Sequence, residues 1–161
     1  MVLQILEIQY LIEDNPLGTA GSLTMLPKNL TDPFIVMNGD ILTKFDPKKL
    51  IDFHNENSSY ATICVREHET IVPFGVIDSN GMELKKIIEK PTYNHLVSAG
   101  VYTFDPEVIG ILPQGRKIDI PDLILKLKEM EKRVLICPIH EYWLDIGRRE
   151  TLTEAYESWI N

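Results

Sequence analysis

The stretch Phe34-Ile35-Val36-Met37-Asn38-Gly39-Asp40 decides the fold class, because four apolar residues run straight into a polar turn. A short continuous apolar run predicts a strand that is covered on both faces, as in sheets flanked by helices. Asp46-Pro47 follows and predicts a helix start, since Asp caps the first turn and Pro suits the first helical position. Strand followed by helix is the repeating unit of an α/β domain.

The same alternation of strand and helix patterns extends in both directions along the chain. Hydrophobic periodicity predicts strands over residues 5–12, 34–37, 61–65, 74–77, 84–88, 97–104 and 134–139. It predicts helices from Thr19 to near Pro27, after Asp46-Pro47, after Ile120-Pro121 and over residues 151–159. The predicted buried face of the second helix consists of Leu50, Ile51 and Phe53. That of the third consists of Leu123, Ile124, Leu127 and Met130. Asp78-Ser79-Asn80-Gly81 predicts a hairpin turn. This order indicates a mixed sheet, parallel at first, with antiparallel additions later.

Composition narrows the class of protein. The 161 residues are 44% hydrophobic and 25% charged, which is typical of one soluble globular domain. The net charge of −8 argues against a nucleic-acid or anionic-membrane partner, but metal ions held by carboxylates can still recruit small anionic substrates. No apolar run is long enough to span a bilayer, and the start lacks a signal-peptide pattern. Cys64 and Cys137 lie in apolar runs, which indicates reduced thiols and a cytoplasmic location.

Polar residues follow the predicted strands, where α/β sheets place their ligands. Leu17-Gly18-Thr19-Ala20-Gly21-Ser22 opens a helix, and its glycines would let a ligand approach the backbone. An ordinary turn between a strand and a helix would have the same sequence pattern. Asn38-Gly39-Asp40 places a carboxylate beside a glycine, which suits Mg²⁺, or else a turn Asp that accepts backbone hydrogen bonds.

Two further segments carry charge near strand ends. Ile88-Glu89-Lys90-Pro91 offers a carboxylate for sugar hydroxyls and an ammonium for a phosphate, or simply a solvated ion pair. Tyr142-Trp143-Leu144-Asp145-Ile146-Gly147 offers a second metal ligand in Asp145, or a helix cap. Trp143 is predicted to pack rather than to stack on a ligand.

Taken together and in order, these segments resemble the sugar-phosphate nucleotidyltransferase family, which includes glucose-1-phosphate thymidylyltransferases and mannose-1-phosphate guanylyltransferases. The matching stretches are Pro16-Leu17-Gly18-Thr19-Ala20-Gly21, Val36-Met37-Asn38-Gly39-Asp40, Pro73-Phe74-Gly75-Val76, Ile88-Glu89-Lys90-Pro91, Ser98-Ala99-Gly100-Val101-Tyr102 and Trp143-Leu144-Asp145-Ile146-Gly147. The phrases around Asp40, Cys64 and Asp145 are most similar to bacterial enzymes that activate amino sugars, such as glucosamine-1-phosphate guanylyltransferase.

The resemblance implies an α/β fold with a Rossmann-like mixed sheet of the nucleotide-diphospho-sugar transferase (glycosyltransferase-A-like) type. It implies nucleotidyl transfer from a nucleoside triphosphate, GTP in the subgroup, to a sugar 1-phosphate, in a pathway of cell-surface polysaccharide biosynthesis. The implied roles are nucleotide binding by Gly18, Thr19, Gly21, Asn38 and Gly39, sugar-phosphate binding by Gly75, Glu89, Lys90 and Gly100, Mg²⁺ binding by Asp40 and Asp145, and catalysis by Asp40, Lys90 and Asp145.

One motif of the family is absent from the sequence. The family begins with a strand and a Gly-rich loop of the form G-x-G-T-R-L, which cradles the triphosphate, followed by a Lys. We therefore expect residues 1–161 to be a partial, N-terminally truncated nucleotidyltransferase domain that lacks about two strand–helix units. An expressed fragment, a misplaced start site in the gene and a natural truncation all fit this expectation. A sheet without its first strands would expose an edge, which predicts a homo-oligomer.

Two alternatives to a catalytic nucleotidyltransferase remain open. The missing loop favours a non-catalytic nucleotide-sugar-binding or regulatory module. A glycosyltransferase of the related fold would carry an Asp-x-Asp metal motif after a strand, whereas this chain reads Asn38-Gly39-Asp40.

Overall fold

A computed structural model of the chain describes residues 7–147, 151–153 and 155–156. Within these ranges the strands are β1 (Phe34–Met37), β2 (Ile41–Thr43), β3 (Ala61–Ile71), β4 (Val76–Asn80), β5 (Glu83–Ile88), β6 (Thr92–Phe104), β7 (Val134–Pro138) and β8 (Trp143–Asp145). The helices are α1 (Gly18–Gly21), which continues as a 3₁₀ turn over Ser22–Met25, α2 (Pro47–Glu56), α3 (Val108–Ile111) and α4 (Ile120–Glu129). The mixed α/β class is confirmed.

The strands form three sheets. The largest has four strands in the order β1-β6-β3-β7, β2 pairs with β8, and β4 pairs with β5. Both two-stranded sheets are antiparallel. The predicted hairpin is confirmed, although its turn lies at Gly81 and Met82, between the paired residues Asn80 and Glu83. Gly81 has a φ of +60°, which glycine adopts without steric cost.

Contacts divide the chain into two compact units. The first comprises the described residues up to 36, together with 48–62 and 103–135. Its core contains one face of each longer helix: Leu50 and His54 of α2, and Ile120, Leu123 and Leu127 of α4. Spacings of three and four residues bring these side chains onto one face. Burial of Leu50, Leu123 and Leu127 is confirmed, whereas the predicted Ile51, Phe53 and Ile124 are half-buried, and burial of His54 was not predicted. Phe34 and Phe104 add an aromatic pair, with ring centroids 6.2 Å apart.

The second unit comprises residues 37–47 and 63–102, with the described residues after 135. Its buried side chains come from β2, β3, the second half of β6 and the residue after β7, and include Ile41, Cys64, Val65, Ala99, Val101, Tyr102 and Ile139. Cys64 is buried, Cys137 is half-buried and both are free thiols, so the expectation of unbridged cysteines is confirmed. No helix within the described ranges is long and apolar enough to cross a membrane.

Three predictions about secondary structure and burial are wrong. Residues 7–12 form no strand, because no neighbouring strand pairs with them in the described structure, and Ile8 and Ile12 are 71% and 82% exposed. β1 is half-buried rather than covered on both faces, since it lies at the edge of its sheet. Met130 is exposed because α4 ends at Glu129.

The remaining differences concern the bounds of several strands, the short elements and the end of the chain. β2, α3 and β8 are three or four residues long and carry no periodic signal of their own. Residues 151–153 and 155–156 are helical, in agreement with the predicted last helix, whereas Trp159 lies outside the described residues.

Candidate active site

The two predicted metal ligands are held by a small antiparallel ribbon in the second unit. β2 and β8 pair so that Ile41 lies opposite Asp145 and Thr43 opposite Trp143. Asp40 immediately precedes Ile41, and its carbonyl accepts a hydrogen bond of 2.8 Å from the amide of Ile146. Pairing between distant segments therefore brings Asp40 and Asp145 side by side.

Gly147 shows how closely the two carboxylates approach each other. A Cβ on Gly147 would lie 3.0 Å from Asp145 Oδ1 and 3.2 Å from Asp40 Oδ2, so both oxygens converge on one point. The Gly147 amide donates a hydrogen bond of 2.8 Å to Asp145 Oδ1, which fixes the orientation of that carboxylate. Both aspartates are exposed, so a hydrated cation has access to them.

This donor set fits Mg²⁺. Magnesium is usually bound through one or two carboxylates, with water and substrate phosphates completing its shell. The described part of the chain contains no group of three or more His, Cys, Asp or Glu residues that could hold a metal by itself. A metal bound by Asp40 and Asp145 would therefore keep positions open for phosphate oxygens.

Asn38 and Gly100 hold the turn that leads into Asp40. The backbone amide of Asn38 donates a hydrogen bond of 2.9 Å to the carbonyl of Gly100. Gly100 has a φ of +69°, and a Cβ there would lie 3.0 Å from Asn38 Nδ2. Gly39, by contrast, has open space where a Cβ would be. The structure thus brings together four predicted site residues, Asn38, Asp40, Gly100 and Asp145, beside the open backbone of Gly39.

A second group of predicted site residues lies at the base of the β4–β5 hairpin, also in the second unit. A Cβ on Gly75 would lie 3.1 Å from Glu89 Oε2, so the glycine and the carboxylate are neighbours. The Lys90 amide donates to the carbonyl of Phe74 over 3.3 Å, which closes the hairpin. Lys90 has a φ of +43°, a conformation that is uncommon outside glycine and asparagine. Strained backbone of this kind clusters at functional sites.

The third group, Gly18, Thr19 and Gly21, belongs to the first unit, where it packs against the segment before α4. The Thr19 amide donates to Asp119 Oδ1 over 2.9 Å, and the Thr19 hydroxyl accepts from the Ile120 amide over 2.9 Å. A Cβ on Gly18, whose φ is +80°, would lie 2.6 Å from the Ile118 carbonyl. Close packing by the chain itself therefore accounts for this glycine, and nucleotide binding by the three residues stays a prediction.

The Thr19 contacts also lower the pKa of Asp119. The hydrogen bond from the Thr19 amide is the main cause that lowers the pKa of the Asp119 carboxyl, and the Thr19 hydroxyl and the charge of Lys117 add to it. Asp119 is therefore favoured as a carboxylate that accepts hydrogen bonds from the amide and the hydroxyl of Thr19 in α1.

Two side chains that sequence reasoning did not assign to the site, Trp143 of β8 and Arg66 of β3, connect β8 with other segments. The indole Nε1 of Trp143 donates to the carbonyl of Ala99 over 2.7 Å. The guanidinium of Arg66 lies 4.8 Å from the centroid of the Trp143 ring, and its Nη1 donates to the Trp143 carbonyl over 3.1 Å. Packing of Trp143 was predicted, but Arg66 carries no local signal because its partner lies far along the chain.

Comparison with known proteins identifies the family. The profile described as nucleotidyl transferase matches residues 3–160. A protein of Sulfolobus acidocaldarius, named as a candidate mannose-1-phosphate guanyltransferase, is 35% identical over 140 residues, which are 84% of this chain and 38% of the relative. The mannose-1-phosphate guanylyltransferase catalytic subunit beta of Dictyostelium discoideum is 29% identical over 163 residues, 97% of this chain and 45% of the relative.

Solved structures agree with this comparison. HddC from Yersinia pseudotuberculosis matches with a TM-score of 0.65 and 26% identity, over 91% of this chain and 64% of that one. The same protein described as complexed with GMP-PN matches with a TM-score of 0.66 and 25% identity, over 92% of this chain and 65% of that one. The chain thus spans less than half the length of these curated relatives and about two thirds of the solved ones. It belongs to the nucleotidyl transferase family.

Proposed function

We propose that this chain takes part in the transfer of a nucleotidyl group from a nucleoside triphosphate to a sugar 1-phosphate. The products are a nucleotide-activated sugar and pyrophosphate. The observation that supports this function best is the convergence of Asp40 and Asp145 beside Gly147. The chain that carries this pair belongs to the nucleotidyl transferase family. Family membership gives the reaction class, and the aspartate pair would hold a cation that neutralises charge on the phosphates.

The chemistry requires little from the protein beyond position and charge. A phosphate oxygen of the sugar 1-phosphate attacks the α-phosphorus of the triphosphate, and the bond from that phosphorus to the β-phosphate bridging oxygen breaks. The second pKa of a phosphate monoester is about 6, so the nucleophile is already anionic at neutral pH and needs no general base. Bound Mg²⁺ would neutralise charge on the phosphates and help to orient them.

The residues of the chain would then position the reactants. Asp40 and Asp145 would hold the cation, and the Gly147 amide would keep the Asp145 carboxylate oriented. Lys90 would bind the phosphate of the sugar 1-phosphate as a point charge, and Glu89 would accept hydrogen bonds from sugar hydroxyls beside Gly75. Gly100 is retained as a proposed sugar contact from the resemblance alone, because Asn38 and Ile41 fill the space that a Cβ would take there.

Guanosine triphosphate and a hexose 1-phosphate are the substrates we propose to test first. Support comes from relatives named as mannose-1-phosphate guanylyltransferases and from the structural neighbour described with GMP-PN. The resemblance to glucosamine-1-phosphate guanylyltransferases adds glucosamine 1-phosphate as the second sugar to test. We retain Gly18, Thr19, Gly21, Asn38 and Gly39 as proposed nucleotide contacts.

A second function is kept as a proposal, because the chain spans less than half the length of its curated relatives. A chain that binds sugar phosphate or nucleotide-sugar without turnover would then act as a binding or regulatory module. Release of pyrophosphate distinguishes the two functions, because a binding module releases none.

The test compares the full chain with variants in which one aspartate is replaced by the uncharged asparagine of the same shape. Pyrophosphate release is measured with GTP, Mg²⁺ and mannose 1-phosphate or glucosamine 1-phosphate, and binding of each sugar phosphate is measured by calorimetry. Asp40→Asn and Asp145→Asn should lower turnover by at least about 100-fold, since each removes charge from the metal site. Asp52→Asn, on the exposed surface of α2, is the control and should leave turnover unchanged.

Each result separates one function from the other. Turnover by the chain excludes the binding module. Binding without turnover supports the module, provided that Lys90→Ala weakens the binding. Equal behaviour of wild type, Asp40→Asn and Asp145→Asn would overturn the proposed metal site.

We also propose that the chain self-associates and acts in the cytoplasm, in the supply of activated sugars for cell-surface polysaccharide. Self-association is supported by exposed apolar side chains over residues 7–12 and on the β4–β5 hairpin, where Phe74 is 72% exposed. The cytoplasmic location is supported by two free thiols. Light scattering tests the first of these proposals, and a monomer at all concentrations would refute it.

A further inference from the structure

We propose that Arg66 and Trp143 are positioning residues that set the affinity of the aspartate pair for its divalent cation. The inference rests on the proposed function, since it takes Asp40 and Asp145 as the metal ligands. It concerns two side chains that touch neither carboxylate in the contacts described above and act through the strand that carries Asp145.

The strand β8 requires such support because it is very short. It has three residues and pairs with the three residues of β2 in a two-stranded sheet. An isolated two-stranded sheet is marginally stable in water even when it is longer. The position of the Asp145 carboxylate therefore depends on contacts outside the ladder.

Arg66 supplies one of these contacts from β3. Its guanidinium lies over the indole ring of Trp143 and at the same time donates to the Trp143 carbonyl over 3.1 Å. A planar guanidinium that stacks and donates together restrains both the side chain and the backbone of its partner. Trp143 and Asp145 are two residues apart on one strand, so their side chains project from the same face and movement of one shifts the other.

Trp143 supplies the second contact and links the two ligands. Its Nε1 donates to the carbonyl of Ala99 over 2.7 Å. The next residue, Gly100, accepts from the Asn38 amide, which begins the turn that carries Asp40. One tryptophan thus connects the strand of Asp145 with the segment that holds the turn of Asp40.

Residues that orient metal ligands without touching the metal change metal affinity when they are altered, by 10- to 100-fold in typical cases. We expect Arg66→Met to weaken Mn²⁺ binding within that range, because it removes both the stacking charge and the hydrogen bond. Trp143→Phe should weaken binding less, since it keeps a ring for Arg66 and loses only the hydrogen bond to Ala99. Arg66→Lys should recover part of the loss.

The experiment measures binding of Mn²⁺ alone to the purified full chain, by the electron paramagnetic resonance signal of the free ion. The variants are Asp40→Asn, Asp145→Asn, Arg66→Met, Arg66→Lys and Trp143→Phe. Arg133→Met, an exposed arginine of the first unit, is the matched control and should bind as wild type does. Circular dichroism melts identify any variant that fails to fold, and Trp143→Phe then serves in place of Arg66→Met.

The outcomes separate the inference from the function on which it rests. Loss of Mn²⁺ binding in both aspartate variants together with weaker binding in Arg66→Met and Trp143→Phe supports both. Loss in the aspartate variants with unchanged affinity in folded Arg66→Met or Trp143→Phe overturns the positioning role alone. Unchanged affinity in the aspartate variants, or no binding by wild type, overturns the metal site and the inference with it.

Discussion

The amide of Asn38 is hydrogen-bonded to the carbonyl of Gly100 at 2.9 Å, and residue 100 has a φ of +69° in the interior of β6. Alanine at 100 would adopt a left-handed conformation that costs about 1–2 kcal/mol, and its Cβ would also press on Asn38 Nδ2 and Ile41 Cγ1, both at 3.0 Å. We expect Gly100→Ala to lower the free energy of unfolding by at least about 2 kcal/mol in urea titrations.

Two other glycines provide controls for this substitution. Gly81→Ala adds a Cβ in open space at a φ of +60°, so it should show only the conformational cost of about 1 kcal/mol. Gly110→Ala lies in α3 with open space around it and should be neutral or stabilising by about 0.5–1 kcal/mol. If Gly81→Ala and Gly100→Ala lowered the free energy of unfolding equally, the contact with Asn38 would contribute nothing to the cost at position 100.

Asp119 should make the stability of the first unit depend on pH. Its pKa is lowered in the folded chain by the Thr19 hydrogen bonds, so its stabilising contribution is complete above the unfolded value of about 3.9 and is lost as pH falls through the folded pKa. We expect Asp119→Asn to melt at a lower temperature than wild type at pH 7, with the difference shrinking below pH 4. A difference that stays constant down to pH 2 would contradict this account.

His54 should oppose folding when it is protonated. Burial lowers its pKa below 6.5, although the charge of Asp105 acts in the opposite direction. Its Nδ1 is hydrogen-bonded to Thr62 Oγ1 at 2.9 Å, while Nε2 is buried without a partner in the described structure. The unfolded chain therefore binds this proton more readily, and stability should fall as pH drops below 6.5.

Nitrogen-detected NMR of the imidazole gives the His54 titration directly, and we expect its midpoint below 6.5. The companion measurement compares unfolding of wild type and His54→Gln between pH 6.5 and 5, where most carboxylates remain ionised. The wild type should lose stability across that window and the variant should lose less. A His54 midpoint above 6.5 would exclude the neutral buried form.

Cys64 should be inert in the folded chain. Burial is the main cause that raises its pKa to about 12, and the thiolate is the species that reacts with alkylating agents. Iodoacetamide at pH 8 should leave Cys64 unmodified in buffer and alkylate it in urea, as peptide mass spectrometry would show. Equal labelling in buffer and urea would contradict its buried position.

Much of the fold follows from the sequence where periodicity is long. α2 and α4 each present apolar residues at helical spacing. α2 begins at the predicted Pro47, and α4 begins at Ile120, one residue before Pro121. The extent of a strand is harder to predict: β3 runs on to Ile71 and β6 starts at Thr92, because pairing continues through polar residues once two strands are adjacent. Conversely, the apolar residues 7–12 form no strand because pairing needs a neighbour as well as propensity.

The residues of the candidate site were proposed from the sequence and stay a prediction, whereas their contacts could not be predicted. Asp40 and Asp145 were found from glycines and carboxylates at strand ends, whereas their proximity depends on the β2–β8 ribbon, whose three-residue strands carry no pattern. Arg66 and Asp119 were missed for a related reason. Their partners, Trp143 and Thr19, lie far away in sequence, and a single sequence contains no signal for such pairs.

At Lys90 the backbone conformation and the proposed function of the side chain favour different residues. A left-handed φ of +43° favours glycine or asparagine, while the proposed phosphate contact needs an ammonium group. A library of variants screened for heat resistance alone should therefore accumulate Gly or Asn at position 90, and those survivors should lose sugar-phosphate binding. Engineering this chain for thermal tolerance consequently requires a binding selection at every round, with lysine held fixed at the hairpin base.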